Sequence, residues 1–135
     1  MSSAAQRDVA DMVRASMAVK NALLESDDCL QCIVDIAGML ASALGGGNKL
    51  LLAGNGGSAA DAQHIASELV GQFSGHRPGI AAVALTTDTS TLTSVANDYG
   101  FDQVFSRQVE TLGAAGDVLV AISTSGNSAN ILAAV

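Results

Sequence analysis

The stretch Lys49-Leu50-Leu51-Leu52-Ala53-Gly54-Asn55-Gly56-Gly57-Ser58 decides the fold class. Five residues of mostly apolar character, with no polar alternation after the lysine, fit a short strand covered on both faces. The glycine-rich turn stops that strand and opens a helix over residues 59–73. Ser58 is the expected N-cap of this helix, with Asp61 three residues on as a capping-box-like acid. The same grammar recurs downstream. Strands are expected at 80–85 and, after Gly116, at 118–122. Residues 86–88 lead into a short helix over 89–96, which Asn97-Asp98-Tyr99-Gly100 breaks, and 101–112 is helical again. The polar turn Ser123-Thr124-Ser125-Gly126-Asn127-Ser128 closes the third strand, and a helix starts at Ala129. Apolar strands alternating with helices predict an α/β domain, a parallel sheet flanked by helices on both faces.

Working outward, two helices precede the first strand. Val9, Met12, Val13, Met17, Leu23 and Leu24 place one over about residues 5–24. Asp27 or Asp28 caps the second, which carries Ile33, Ile36, Leu40 and Leu44 and ends at Gly45-Gly46-Gly47. This hairpin either packs on the domain's own sheet or docks on another subunit. The expected organisation is a single domain, 1–135, with a helical hairpin over 1–47 and an α/β portion over 48–135. A three-stranded parallel sheet with open edges is unusual. The last helix is still running at Val135. The expectation is therefore a domain whose C-terminal part is missing.

The chain has 135 residues, 49% of them hydrophobic and 14% charged, which excludes intrinsic disorder. Aromatics make up only 3%, so base stacking on exposed rings is a poor basis for function. Net charge is −7 with no Lys/Arg stripe, which argues against nucleic-acid backbone binding. An acidic chain can still hold a small anion through local dipoles. Uninterrupted apolar runs fall short of the roughly 20 residues of a bilayer span. Residues 1–11 lack a signal-peptide pattern, so the expected setting is cytoplasmic, with no membrane partner. Cys29 and Cys32 form the only C-x-x-C. Without a second pair or a preceding strand, they read as two small apolar residues of a helix rather than a zinc or redox site.

Two turns carry the chemistry. Gly54–Ser58 and Ser123–Ser128 both follow a strand and open a helix, where ligands bind in open α/β sheets. Helix N-termini supply free N–H groups and partial positive charge, glycines admit close approach, and hydroxyls add donors. Ordinary turn composition with helix caps is the plain alternative, but two such turns in equivalent positions point to a phosphate site. Gly54-x-Gly56-x-x-Ala59 also fits a relaxed dinucleotide fingerprint, but no acid lies between Glu68 and Asp88, where that pattern requires one. His64 and Glu68, four residues apart, share one helix face. They suit either two metal ligands or an acid/base beside an imidazole, and a surface polar pair is the plain alternative. Asn97-Asp98 offers donors and acceptors for a polyol, or simply stops a helix. His76, beside Arg77 and Pro78, reads as an exposed loop residue.

The string from Leu52 to Leu69, Leu-Ala-Gly-Asn-Gly-Gly-Ser-Ala-Ala-Asp-Ala-Gln-His-Ile-Ala-Ser-Glu-Leu, closely resembles the phosphoheptose isomerases of the sugar isomerase (SIS) domain superfamily. Leu85–Asp88, Ala96–Phe101, Phe105–Gln108 and Ala121–Ser128 match in the same order, so the resemblance covers essentially the whole chain. It implies an SIS-type fold and a homotetramer with active sites between subunits. It implies a sugar-phosphate substrate, sedoheptulose 7-phosphate, isomerised to D-glycero-D-manno-heptose 7-phosphate for bacterial heptose biosynthesis. By motif position Ser123, Thr124, Ser125 and Ser128 resemble the phosphate cradle. Asn55, Gly56, Gly57, Asn97 and Asp98 resemble substrate contacts, and Glu68 resembles a catalytic acid/base. His64 and Glu68 also resemble two ligands of a zinc ion. In the family the remaining ligands, a Gln and a His, lie on a C-terminal helix, here expected beyond Val135. Two rival readings remain. One is a non-enzymatic relative that binds the bacterial replication initiator and lacks the helix glutamate; the other is a sugar-phosphate-sensing module. Glu68 together with the intact Asn55–Ser58 turn favours the enzyme.

Overall fold

A computed structural model describes residues 3–135. Met1 and Ser2, the start of the expected hairpin and of the segment tested for a signal peptide, lie outside the described residues. The chain divides into two compact units, Met1–Met39 and Leu40–Val135.

The first unit holds helix α1 (Ala4–Leu24) and most of α2 (Asp27–Gly45). A full capping box starts α1: Ser3 Oγ accepts from Gln6 N–H, and Gln6 Oε1 accepts from Ser3 N–H. Helix α2 is capped by Ser26, whose Oγ accepts from Cys29 N–H at 3.3 Å. The expected cap, Asp27 or Asp28, instead sits in the first turn, where its charge suits the helix dipole. Cys29 and Cys32 are free thiols on the exposed surface of α2. By length and composition alone, α2 is long and apolar enough to cross a membrane. Its uninterrupted apolar runs still fall short of a bilayer span, because Gln31 and Asp35 break them. The core helix of a soluble protein passes the same test.

The second unit is the α/β portion. Strands β1 (Leu50–Gly54), β2 (Ala82–Ala84) and β3 (Val118–Ile122) form a parallel sheet in the order β2-β1-β3. Leu50 pairs with Ala82 on one side and Val118 on the other. Strand alternation splits β1 between two cores. Leu50 and Leu52 pack with Ala62 and Ala66 of α3 (Gly57–Val70) and with Leu40 and Leu44 at the end of α2. Leu51 and Ala53 face the other side. There they pack with Val95 of α4 (Thr89–Tyr99), Val109 of α5 (Ser106–Leu112) and Ile131 of α6 (Ala129–Leu132). Both faces of the central strand β1 are thus covered, as its continuous apolar run required. Leu51 and Leu52 are almost fully buried, each contributing about 2–3 kcal/mol of apolar transfer.

Several local expectations shift. Helix α3 begins at Gly57 rather than 59, and its N-cap is Gly56, with no side-chain capping bond. Gly56 adopts φ +54°, which a glycine reaches without a Cβ penalty. Ser58 therefore lies inside the first turn, buried, and does not cap. Strand β2 is three residues long, shorter than the six expected, and lies at a sheet edge. Helix α4 runs through Asn97 and Asp98 to Tyr99, and Gly100 at φ +95° ends it. Asp88 caps it by accepting from Thr91 N–H at 3.0 Å. A 3-10 turn, Phe101–Gln103, then separates α4 from α5.

Candidate active site

Both polar turns leave the carboxyl ends of adjacent parallel strands, so they sit at the same edge of the sheet. The chain steps from β1 to one neighbour, and β3 enters on the other side. The crevice between β1 and β3 is therefore the topological switch point, where open α/β sheets bind ligands. Helix α3 leaves on one face of the sheet and α6 on the other. Gly54 makes this geometry possible: a Cβ there would lie 2.6 Å from the backbone carbon of Ser58.

The second turn is a cluster of hydroxyls. Ser123 Oγ lies 3.1 Å from Ser128 Oγ and 3.5 Å from Ser125 Oγ. Ser123 Oγ accepts from Gly126 N–H at 3.1 Å, and Ser125 Oγ accepts from Asn127 N–H at 3.2 Å. These bonds fix the hydroxyl oxygens; one hydroxyl donates within the Ser123–Ser128 pair, and the remaining hydroxyl protons can turn to an incoming oxyanion. Thr124 is exposed beside them. The hydroxyls of this turn are the side-chain donors at the start of α6.

A residue that sequence reasoning missed joins the two turns. Asn130, on the first turn of α6, is only 3% exposed. It exchanges two hydrogen bonds with Asn55: Asn55 Nδ2 donates to Asn130 Oδ1 at 2.8 Å, and Asn130 Nδ2 donates to Asn55 Oδ1 at 2.9 Å. No local pattern announces a pair 75 residues apart. Beneath the first turn a small pocket of about 170 Å³ is lined by Asn55, Gly56, Thr86, Leu92, Phe101 and Phe105. Asn97 and Asp98, the expected polyol contacts, are exposed on the last turn of α4 and bonded to each other, Asn97 Nδ2 to Asp98 Oδ1 at 2.7 Å. They do not line that pocket.

His64 Nε2 and Glu68 Oε1 are 3.8 Å apart on one face of α3. His64 is largely exposed and Glu68 about one-third exposed. Glu68 lies eleven residues after Gly57, about 16 Å along the helix axis, so the chain does not bring it to its own polar turns. Arg77, given no role from the sequence, clamps this end of α3. Its guanidinium donates to the carbonyls of Glu68 at 2.7 Å and Leu69 at 2.8 Å, satisfying acceptors that a helix end leaves free. His76 beside it is exposed, as expected. Two zinc ligands in tetrahedral geometry sit about 3.3 Å apart, so a small rotamer change would let His64 and Glu68 share an ion. Among the described residues no third His, Cys, Asp or Glu gathers with them. The pair fits half of a ligand set.

Two polar turns joined at the switch point of a parallel sheet define an α/β protein with a candidate ligand site at the carboxyl edge of that sheet. The chain belongs to the SIS domain family, which matches residues 14–135, and within it to the phosphoheptose isomerases. A phosphoheptose isomerase of Thiobacillus denitrificans is 68% identical over 99 residues, covering 73% of this chain and 50% of that protein. One from Bradyrhizobium sp. is 61% identical over 126 residues, covering 93% of this chain and 60% of that protein. Among solved structures, a phosphoheptose isomerase from Francisella tularensis superposes with a TM-score of 0.90 at 38% identity, covering 98% of this chain and 68% of that one. One from Neisseria gonorrhoeae gives 0.86 at 50% identity, covering 96% of this chain and 66% of that one. The chain spans 50% to 64% of the length of the first two relatives and of one from Sulfurimonas denitrificans.

Proposed function

We propose that the full-length protein is a cytoplasmic aldose-ketose isomerase that converts sedoheptulose 7-phosphate to D-glycero-D-manno-heptose 7-phosphate for bacterial heptose biosynthesis. The observation that carries this reading is the pairing of the two turns. A hydroxyl cluster fit for a phosphate is locked beside a glycine turn fit for a sugar, in a chain 61% identical to a phosphoheptose isomerase over 93% of its length.

The phosphate docks on Ser123, Thr124, Ser125 and Ser128 and supplies remote binding that fixes the reactive carbons. Asn55, Gly56 and Gly57 hold the sugar, with Asn97 and Asp98 recognising hydroxyls. Isomerisation moves a proton from the first carbon to the second through an enediol, while the hydroxyl proton passes from one oxygen to the other. No oxidant or reductant is consumed. Glu68 is the acid/base that carries the carbon-bound proton. Its distance from the turns of its own chain supports a homotetramer in which Glu68 of one subunit serves a phosphate turn of another. Exposed apolar residues on α1, among them Val9, Met12, Val13 and Met17, support the same assembly. His64 and Glu68 would hold a zinc ion, with the remaining ligands beyond Val135. Such an ion polarises a carbonyl oxygen. In this reading residues 1–135 belong to one SIS domain, the hairpin over 1–47 and the α/β portion over 48–135, continued by further C-terminal elements.

The test is direct. Full-length protein should interconvert the two heptose phosphates, and Glu68→Gln should lower kcat by about 100-fold or more while substrate still binds. Wild-type protein that binds sugar phosphate without turnover would point to a sensing or regulatory module instead.

A further inference from the structure

We propose that Asn130 is a positioning residue. It sets the register between the phosphate turn and the sugar turn, and so fixes where the reactive carbons lie once the phosphate is docked. The inference rests on the isomerase reading. Three observations carry it. Asn130 is only 3% exposed, so it does not itself meet the phosphate. Its amide forms a reciprocal pair with Asn55 at 2.8 and 2.9 Å, engaging a donor and the acceptor on each side. The two partners belong to different strand-helix units, the turn after β1 and the helix after β3, which leave the sheet on opposite faces. The strand ladder joins those units up to Gly54 and Ile122. Past that point, among the described residues, the amide pair is the side-chain hydrogen bonding that links them at this edge.

The consequence follows from geometry. A phosphate held by Ser123 and Ser128 anchors one end of the substrate. The other end is placed by Asn55 and the glycines behind it. If the link is cut, each turn keeps its own internal bonds, but their separation is free to drift. A misplacement of about 1 Å at a reacting centre costs on the order of 100-fold in rate. Removing the link should therefore lower turnover while leaving the phosphate subsite whole.

The experiment uses full-length protein. Asn130→Ala should lower kcat at least about 10-fold, yet bind inorganic phosphate, measured by calorimetry, within about threefold of wild type. Asn55→Ala added to Asn130→Ala should cost less than its effect alone, because the shared link is already gone. Asn130→Asp is a second variant that keeps the shape. A protonated carboxylic acid presents Asn55 with the same donor and acceptor as the amide, whereas the carboxylate lacks the donor. Its kcat relative to wild type should therefore recover as pH falls from 8 to 5. Unchanged kcat in Asn130→Ala, phosphate binding lost in parallel with kcat, or a flat pH ratio in Asn130→Asp would each overturn the proposal. An inactive wild type that still binds phosphate would instead remove the isomerase reading.

Discussion

The two polar turns occupy equivalent positions on adjacent strands, yet they are built by different means. The turn after β1 is made by backbone. Gly54 brings the strand end against the Ser58 peptide, Gly56 caps α3 without a side chain, and Ser58 is buried in the first turn. The turn after β3 is made by side chains, with hydroxyls accepting from the turn's own N–H groups. The first has no spare polar groups except Asn55 and the exposed glycine peptides. The second keeps several hydroxyl protons at the surface. Equivalent topology is thus built in two ways: one turn is held by close packing of backbone, and the other presents hydroxyl donors.

The largest break in this comparison should come from Gly54→Ala. The added methyl meets backbone, which cannot swing away, so unfolding free energy should fall by about 3 kcal/mol. Urea denaturation of the full-length protein checks it, and an unshifted midpoint would show that the first turn is not packing-limited. Ser125→Ala tests the opposite character. Stability should stay within about 0.5 kcal/mol, while sugar-phosphate binding weakens by about 1–3 kcal/mol. Calorimetry separates the two, and equal losses in stability and binding would erase the distinction between the turns.

The smallest effect is expected at the opposite edge of the sheet, where neither turn is touched. Asp117 accepts from Lys49 N–H at 2.9 Å and from Ala114 N–H at 2.8 Å, and pairs with the Lys49 ammonium. The Lys49 bonds hold its carboxyl down to about 2, from the usual 3.8. A depressed carboxylate stabilises the fold above its unfolded pKa, and that contribution is lost as pH falls through its folded one. Wild type should therefore gain stability over Asp117→Asn as pH rises from 2 to 4, and the gap should then stay constant. Phosphate binding should be alike in the two proteins at pH 7. A gap independent of pH across that range would dismiss the assigned ion pair.

Much of the architecture was legible because it depends on short-range composition. Uninterrupted apolar runs announce strands covered on both faces, and β3 falls at the expected 118–122. Element ends were less legible where backbone conformation overrides side-chain preference. Gly56 took the cap from Ser58 because a left-handed φ closes the turn earlier. Ser26 took it from Asp27 because the helix starts one residue sooner. Helix α4 ran through Asn97 and Asp98 because Gly100, rather than the polar pair, supplies the conformation that ends it. The family motifs likewise singled out Asn55 and the serines of the second turn.

By itself the sequence determined the α/β class, the two polar turns, the shared face of His64 and Glu68, and the family, since each is written in residue type and spacing. Only the tertiary structure decided the strand order β2-β1-β3 and with it the switch point between β1 and β3, because apolar periodicity is the same for any order of parallel strands. It alone paired Asn55 with Asn130 and set Arg77 on the end of α3. Each of these is a relation between residues far apart in sequence or in space, fixed when the sheet closes and buried polar groups must find partners.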